Sequence, residues 1–137
     1  MGLTYTEIDL INAGDQTNVV RGYINEKQVR KTTVRAMVDT GTGSLVISEA
    51  VCQTLGLAIK GLRPSYLADG SKQVYKVTEP VLIQWQGRNT VCNAVVIPDI
   101  EEVLLGAIPL EDMDLVVNPV KQTLEGAHGD EVIYMLK

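Results

Sequence analysis

A carboxylate at a tight corner between two apolar strands constrains this chain more than any other feature. Residues Ala36 to Ser48 read AMVDTGTGSLVIS. An apolar run ends at Asp39, Thr40 and Gly41 turn the backbone, and a second apolar run begins at Leu45. Gly41 has no Cβ, so the backbone can approach the carboxylate and turn sharply. A fold that buries both runs holds an acid inside a hydrophobic wall. There is one such corner, because no second Asp-Thr-Gly or Asp-Ser-Gly occurs in the sequence.

Around the corner the pattern is mostly of period two, with turn residues between short runs. Thr4–Ile11 reads as a strand, Asn12–Asp15 as a turn, Val19–Ile24 as another strand and Asn25–Gln28 as a second turn. Val29–Val38 alternates, with Val34, Ala36 and Val38 on one face and Lys31, Thr33 and Arg35 on the other. Leu45–Ile47 reads as a short buried strand. Ser48 suits an N-cap, Glu49 a first helical turn and Gly56 a C′ stop, so one main short helix is expected over Glu49–Leu55. Asp69-Gly70, between Tyr66–Ala68 and Gln73–Val77, signals a hairpin. Gln86-Gly87, between Val81–Trp85 and Thr90–Ile97, signals a second. Val103-Leu104-Leu105-Gly106, a short helix near Leu110–Met113, and strands at Leu115–Val117 and Val132–Leu136 complete the reading. A weak repeat shows through it: Gly41 and Gly106 both follow apolar strands and both precede a helix. No linker or low-complexity stretch interrupts the chain, so residues 1–137 are expected to form a single all-β domain.

Composition limits the functions available. Hydrophobic residues make up 45% of the 137, enough to fill a core. Aromatics are only 4% with no Phe, so Val, Ile and Leu must fill it. A net charge of −5 argues against nucleic acid as a partner. No apolar run approaches the roughly 18 residues of a membrane span, and the first residues lack the features of a signal peptide. Cys52 and Cys92 fit no metal spacing and read as reduced thiols among apolar neighbours. These observations lead to the expectation of a cytoplasmic protein with no metal and no cofactor. Glu101, Glu102, Glu111, Asp112 and Asp114 read as a solvated acidic face, His128 as an exposed loop residue and Trp85 as core or interface.

Apolar-Asp-Thr-Gly-x-x-Ser, an Asp-Gly hairpin some 30 residues on, and Leu-Leu-Gly before a short helix resemble the signature of the retropepsin-like aspartic proteases. The resemblance covers about Val29 to Asn118. It is most similar to the small bacterial single-domain members, whose pattern LLGAIPLEDMDLVVNP (Leu104 to Pro119) resembles. The resemblance implies an acid-protease half-barrel acting as a homodimer on peptide or protein substrates. Asp39, Thr40 and Gly41 would be the catalytic corner. Thr40 would bond across the dimer, and Ser44 would hydrogen-bond the carboxylate. The hairpin tip at Ala68, Asp69 and Gly70 would form a flap and contact substrate together with Thr42 and Gly43. Leu104, Leu105 and Gly106 would support the site. The chemistry fits: two carboxylates about 3 Å apart share one proton, so one acts as base and its twin as acid. Many relatives have Ala after Asp-Thr-Gly, where this chain has Thr42 and Gly43. That departure bears on the subsites, and it leaves open a rival reading, a dimeric peptide-binding or assembly module that hydrolyses nothing.

Overall fold

The computed structural model describes residues 3–134. In chain order, β1 (Tyr5–Asn12) leads into α1 (Ala13–Val20), and β2 (Lys31–Val38) reaches the Asp39 corner. Then come β3 (Leu45–Ile47), α2 (Glu49–Thr54) and a long hairpin of β4 (Ile59–Tyr66) and β5 (Lys72–Thr78). A second hairpin pairs β6 (Val81–Trp85) with β7 (Arg88–Cys92), followed by β8 (Ala94–Val96) and β9 (Val103–Leu105). After α3 (Ala107–Asp112), β10 (Leu115–Asn118) and β11 (Thr123–Gly126) form a small hairpin of their own.

Nine strands form one sheet in the order β4-β5-β8-β3-β9-β2-β1-β6-β7. Most neighbours are antiparallel, but β2 runs parallel to β9 and β3 runs parallel to β8. β9 lies between β2 and β3, the two strands that flank the Asp39 corner, so the corner arches over its end. The weak repeat in the sequence thus has a spatial counterpart, since its two apolar strands pair side by side.

The core follows from the alternation. Ile8, Leu10, Ala36, Leu45, Ile47, Leu55, Ile83, Leu105 and Met113 are all buried in one cluster. Each Leu or Ile buried this way contributes about 1.5–3 kcal/mol. Trp85 joins the cluster, and its indole N–H donates to the Thr6 hydroxyl at 2.8 Å, so its polar edge is satisfied.

Strand, corner, strand and helix around Asp39 stand where the sequence puts them. Ser48 caps α2 by accepting from the Val51 N–H, and Gly56 follows with φ of 59°. A side chain at Gly56 would be strained in that conformation and would strike the Arg30 guanidinium.

Four expectations are corrected. In place of the Asn12–Asp15 turn and the Val19–Ile24 strand, α1 takes residues 13–20 and a turn takes residues 21–24, so the fold has more than one main helix. Asn12 caps α1 by accepting from the Asp15 N–H at 3.0 Å. The Asp15 carboxylate then accepts from the Arg30 backbone N–H at 3.0 Å and from its guanidinium at 2.9 Å. This long-range pair ties the segment down as helix and overrides the strand preference of Val19-Val20.

The Thr90–Ile97 strand divides at Asn93, whose side-chain amide donates to the Thr78 carbonyl at 2.6 Å. Ala94 N–H then donates to the Thr78 hydroxyl, which steers β8 away from β6 and onto β3. The helix near Leu110–Met113 begins earlier, at Ala107. The Val132–Leu136 strand is absent over Val132–Tyr134, and Met135 and Leu136 lie outside the described residues. Cys52 is buried and Cys92 half-buried, and neither is in a disulfide.

Candidate active site

The corner is assembled by backbone bonds to the end of β9 and the start of α3. Val38 N–H donates to the Thr4 carbonyl at 2.8 Å, and Asp39 N–H donates to the Leu105 carbonyl at 3.0 Å. Thr42 N–H closes the turn on the Asp39 carbonyl at 3.1 Å. The far side of the loop accepts in its turn: Ala107 N–H donates to the Thr42 carbonyl at 2.7 Å and Ile108 N–H to the Gly43 carbonyl at 2.9 Å. The first orphan donors of α3 are therefore used to hold the loop.

Gly106 makes this possible. It is the N-cap of α3 and gives no side-chain cap bond. A Cβ there would fall far inside contact distance of the Ser44 and Thr42 carbonyl oxygens. Only glycine lets β9 end this close under the loop.

The Asp39 side chain is half-buried. Its Oδ1 accepts from the Gly41 N–H and its Oδ2 from the Thr42 hydroxyl, both at 3.0 Å. Both oxygens are thus fixed by donors from the same loop, and their remaining lone pairs are left for water, substrate or a second carboxylate. Thr40 and Gly41 are exposed at the tip.

The structure therefore brings Asp39, Gly41, Thr42, Gly43 and Leu105 into one bonded unit, with Gly106 packed close under the loop and Leu104 beside it on β9. It corrects the expectation for Ser44. The Ser44 hydroxyl donates to the Asn93 carbonyl at 3.1 Å, away from the carboxylate, and Thr42 supplies the hydroxyl contact instead. The signal was present in the sequence: Thr42 stands three residues after Asp39, the reach of a local side-chain turn. Asn93 had no such signal, because its role depends on where Thr78 and Ser44 come to lie.

The hairpin tip stands apart. Ala68, Asp69 and Gly70 are all exposed, and Gly70 N–H donates to the Leu67 carbonyl at 2.9 Å. Asp69 Oδ1 accepts from the Ser71 hydroxyl at 2.6 Å and from the Ser71 N–H at 2.8 Å. The hydroxyl bond first, then the backbone bond, holds this carboxyl below its usual range. Among the described residues no hydrogen bond joins the tip to the corner. No group of three or more His, Cys, Asp or Glu able to hold a metal ion occurs among the described residues. No described helix is long and apolar enough to cross a membrane.

His128, expected as an exposed loop residue, pairs with Asp114. Its Nδ1 lies 2.6 Å from Asp114 Oδ2, which also accepts from the Ile133 N–H at 3.0 Å. The Arg88 guanidinium donates to the Met113, Asp114 and Gly129 carbonyls. Together these bonds fasten the segment after β11 to the end of α3.

Comparison with known proteins gives the geometry a context. Residues 20–112 match the model of the family described as "gag-polyprotein putative aspartyl protease". No curated protein sequence matches the chain. Among solved structures, EIAV protease complexed with the inhibitor HBY-793 is similar at 24% identity and a TM-score of 0.50, over 82% of this chain and 88% of that one. That likeness concerns the fold, and it agrees with the mostly β, retropepsin-like architecture expected from the sequence.

Proposed function

The chain belongs to the gag-polyprotein aspartyl protease family, and from that premise we propose that it is an aspartic endopeptidase working as a homodimer of single-domain copies. The observation that carries this reading is the Asp39 carboxylate, fixed through both oxygens by Gly41 and Thr42 and still open on its other side. One such group is an acid or a base, never both at once. A two-fold dimer supplies the second from the same residue.

The two carboxylates then share one proton. The ionised member takes a proton from a bound water, whose oxygen attacks the peptide carbonyl carbon. The protonated member gives its proton to the carbonyl oxygen. Collapse of the tetrahedral species breaks the C–N bond as the departing nitrogen gains a proton from the pair. Thr40 bonds the other copy's corner and sets the separation of the dyad, a role its exposure at the tip supports. The β4–β5 hairpin acts as flap, and substrate lies extended beneath it, paired through its main chain. Thr42 and Gly43 line the floor, and Ala68, Asp69 and Gly70 line the cover. The chemistry uses no metal or organic cofactor, and a cytoplasmic location suits the two unbridged thiols.

The test is cleavage of a mixed peptide library by the wild type and by Asp39→Asn. The variant is expected to fold normally and to lose about a thousandfold or more in rate. Equal cleavage by both proteins would refute the assignment. Binding of peptides without turnover by the wild type, at acid and neutral pH, would identify the chain as a binding module. A strictly monomeric mass at micromolar concentration would exclude the homodimeric dyad.

A further inference from the structure

The β4–β5 hairpin sorts its side chains against the usual sense of a peptide clamp. Directly opposed residues of an antiparallel pair share a face. Leu62 opposes Lys76, Pro64 opposes Val74 and Tyr66 opposes Lys72. Leu62, Tyr66 and Val74 are 69%, 78% and 56% exposed, so this face turns outward. On the other face Gly61 opposes Val77, Arg63 opposes Tyr75 and Ser65 opposes Gln73. Val77 is buried, and Tyr75 and Ser65 are half-buried, so this face turns toward the body.

A cover built to grip aliphatic side chains would place apolar residues inward. Here the inward face beyond Val77 carries a guanidinium, a phenol, a hydroxyl and an amide. Arg63 is exposed and takes part in none of the ion pairs among the described residues. Charge is segregated along the chain as well, although Lys72 and Lys76 lie on the outward face and Lys76 pairs with Glu49. Residues 59–78 hold four basic side chains against one acidic, while the rest of the chain holds eight basic against sixteen acidic. The hairpin is thus a positive arm on an acidic molecule.

We infer that Arg63, flanked by Tyr75, Ser65 and Gln73, selects peptides that carry a carboxylate side chain where they pass beneath this stretch of the hairpin. The inference rests on the peptidase reading and adds a substrate class to it. A guanidinium can engage a carboxylate through two parallel N–H···O bonds. An aliphatic side chain in the same place would strip water from these polar groups and return no partner.

The experiment uses full-length Asp39→Asn, which cannot turn its ligand over, and three pools of fluorescent nonapeptides. The pools are identical except that a scanned position holds Glu, Gln or Lys. Anisotropy at low salt is expected to give about fivefold tighter binding for the Glu pool than the Gln pool, with the gap closing as salt rises. Arg63→Gln in the same background should bring Glu and Gln binding within about twofold of each other. Lys72→Gln, on the outward face, should keep the preference, which separates a directed contact from general attraction. Equal binding of the Glu and Gln pools, or a preference that survives Arg63→Gln, overturns the inference. If wild type cuts peptides while showing no acidic preference, only the inference fails. If no pool binds and none is cut, the peptidase reading fails with it.

Discussion

The Asp39 corner and the β4–β5 hairpin answer opposite mechanical demands. The corner is bonded to β9 through Leu105, to α3 through Ala107 and Ile108, and to its own carboxylate through Gly41 and Thr42. The strand that leaves it, β3, buries Leu45 and Ile47 completely. The hairpin leans mainly on itself. At its root it meets the rest of the sheet through Lys76 paired with Val96, Val77 paired with Val95, and Thr78 bonded to Asn93 and Ala94, and beyond these its side chains are largely exposed. The difference shows where rigidity is needed. In the proposed dimer the Asp39 carboxylate would have to meet its twin within a fraction of an ångström, and it sits on an over-determined frame. The hairpin, as the proposed cover, would have to admit and release a chain, and little holds it to the body.

The largest expected effects fall on the corner. Gly106→Ala must push the Ser44 and Thr42 carbonyls aside, and urea unfolding should show a loss of about 3 kcal/mol. Gly61→Ala, in the hairpin with open space around it, should change stability by less than about 0.5 kcal/mol. Similar losses for the two would erase the contrast. Leu105→Ala should cost about 3 kcal/mol through the cavity it leaves, while Leu62→Ala in the exposed hairpin should stay within about 0.5 kcal/mol.

Thr42→Val comes next. It keeps the shape and removes the hydroxyl that fixes Asp39 Oδ2. Peptide turnover should fall about tenfold with melting temperature nearly unchanged. Ser44→Ala should leave turnover within about twofold, because its hydroxyl serves Asn93. The reverse ranking would restore Ser44 as the partner of the carboxylate.

The smallest effect concerns acid. The side-chain bond from Arg30 is the main cause holding the Asp15 carboxyl below its usual range. A carboxylate whose native pKa is depressed binds its proton more readily when unfolded. Its contribution is therefore complete above the unfolded value of about 3.9 and is lost as pH falls through the lower native value. Chemical unfolding from pH 6 to pH 2 should show stability falling below about pH 4. Asp15→Asn should flatten that fall and lower the plateau above it. An unchanged slope would show that Asp15 does not link folding to pH.

What could be read in the sequence was what the chain decides locally. Ser48 and Gly56 bracket α2 within a residue or so, and the Asp39 corner carries its own turn chemistry. The same holds for the Asp69-Gly70 hairpin, although β4 runs back to Ile59 through the polar and proline-containing stretch Lys60–Ser65. What stayed hidden depends on partners distant in sequence. Val19-Val20 reads as strand until Asp15 is seen to hold Arg30. Residues Thr90–Ile97 read as one strand until Asn93 is seen to reach Thr78. β11 offers only Leu124 as a buried apolar residue, too little for an alternating pattern to declare itself. At the site, the fixed frame was legible through Gly41 and Gly106. The Thr42 contact was legible too, in its spacing from Asp39, but the diversion of Ser44 was not, because it turns on the Asn93 carbonyl coming to lie beside it.

The parallel pairing of β2 with β9 also has a consequence in time. Ala36 meets Val103, a partner 67 positions further along the chain. Closing so long a loop comes before any reward from the contact, which makes such pairings slow to form. During synthesis the residues through Asp39 emerge well before the strand that supports them. The corner cannot take its final shape until β9 and the first turn of α3 have left the ribosome. Until then an unfinished copy carries its carboxylate on a loose loop, and the proposed dimer has no finished corner to form from.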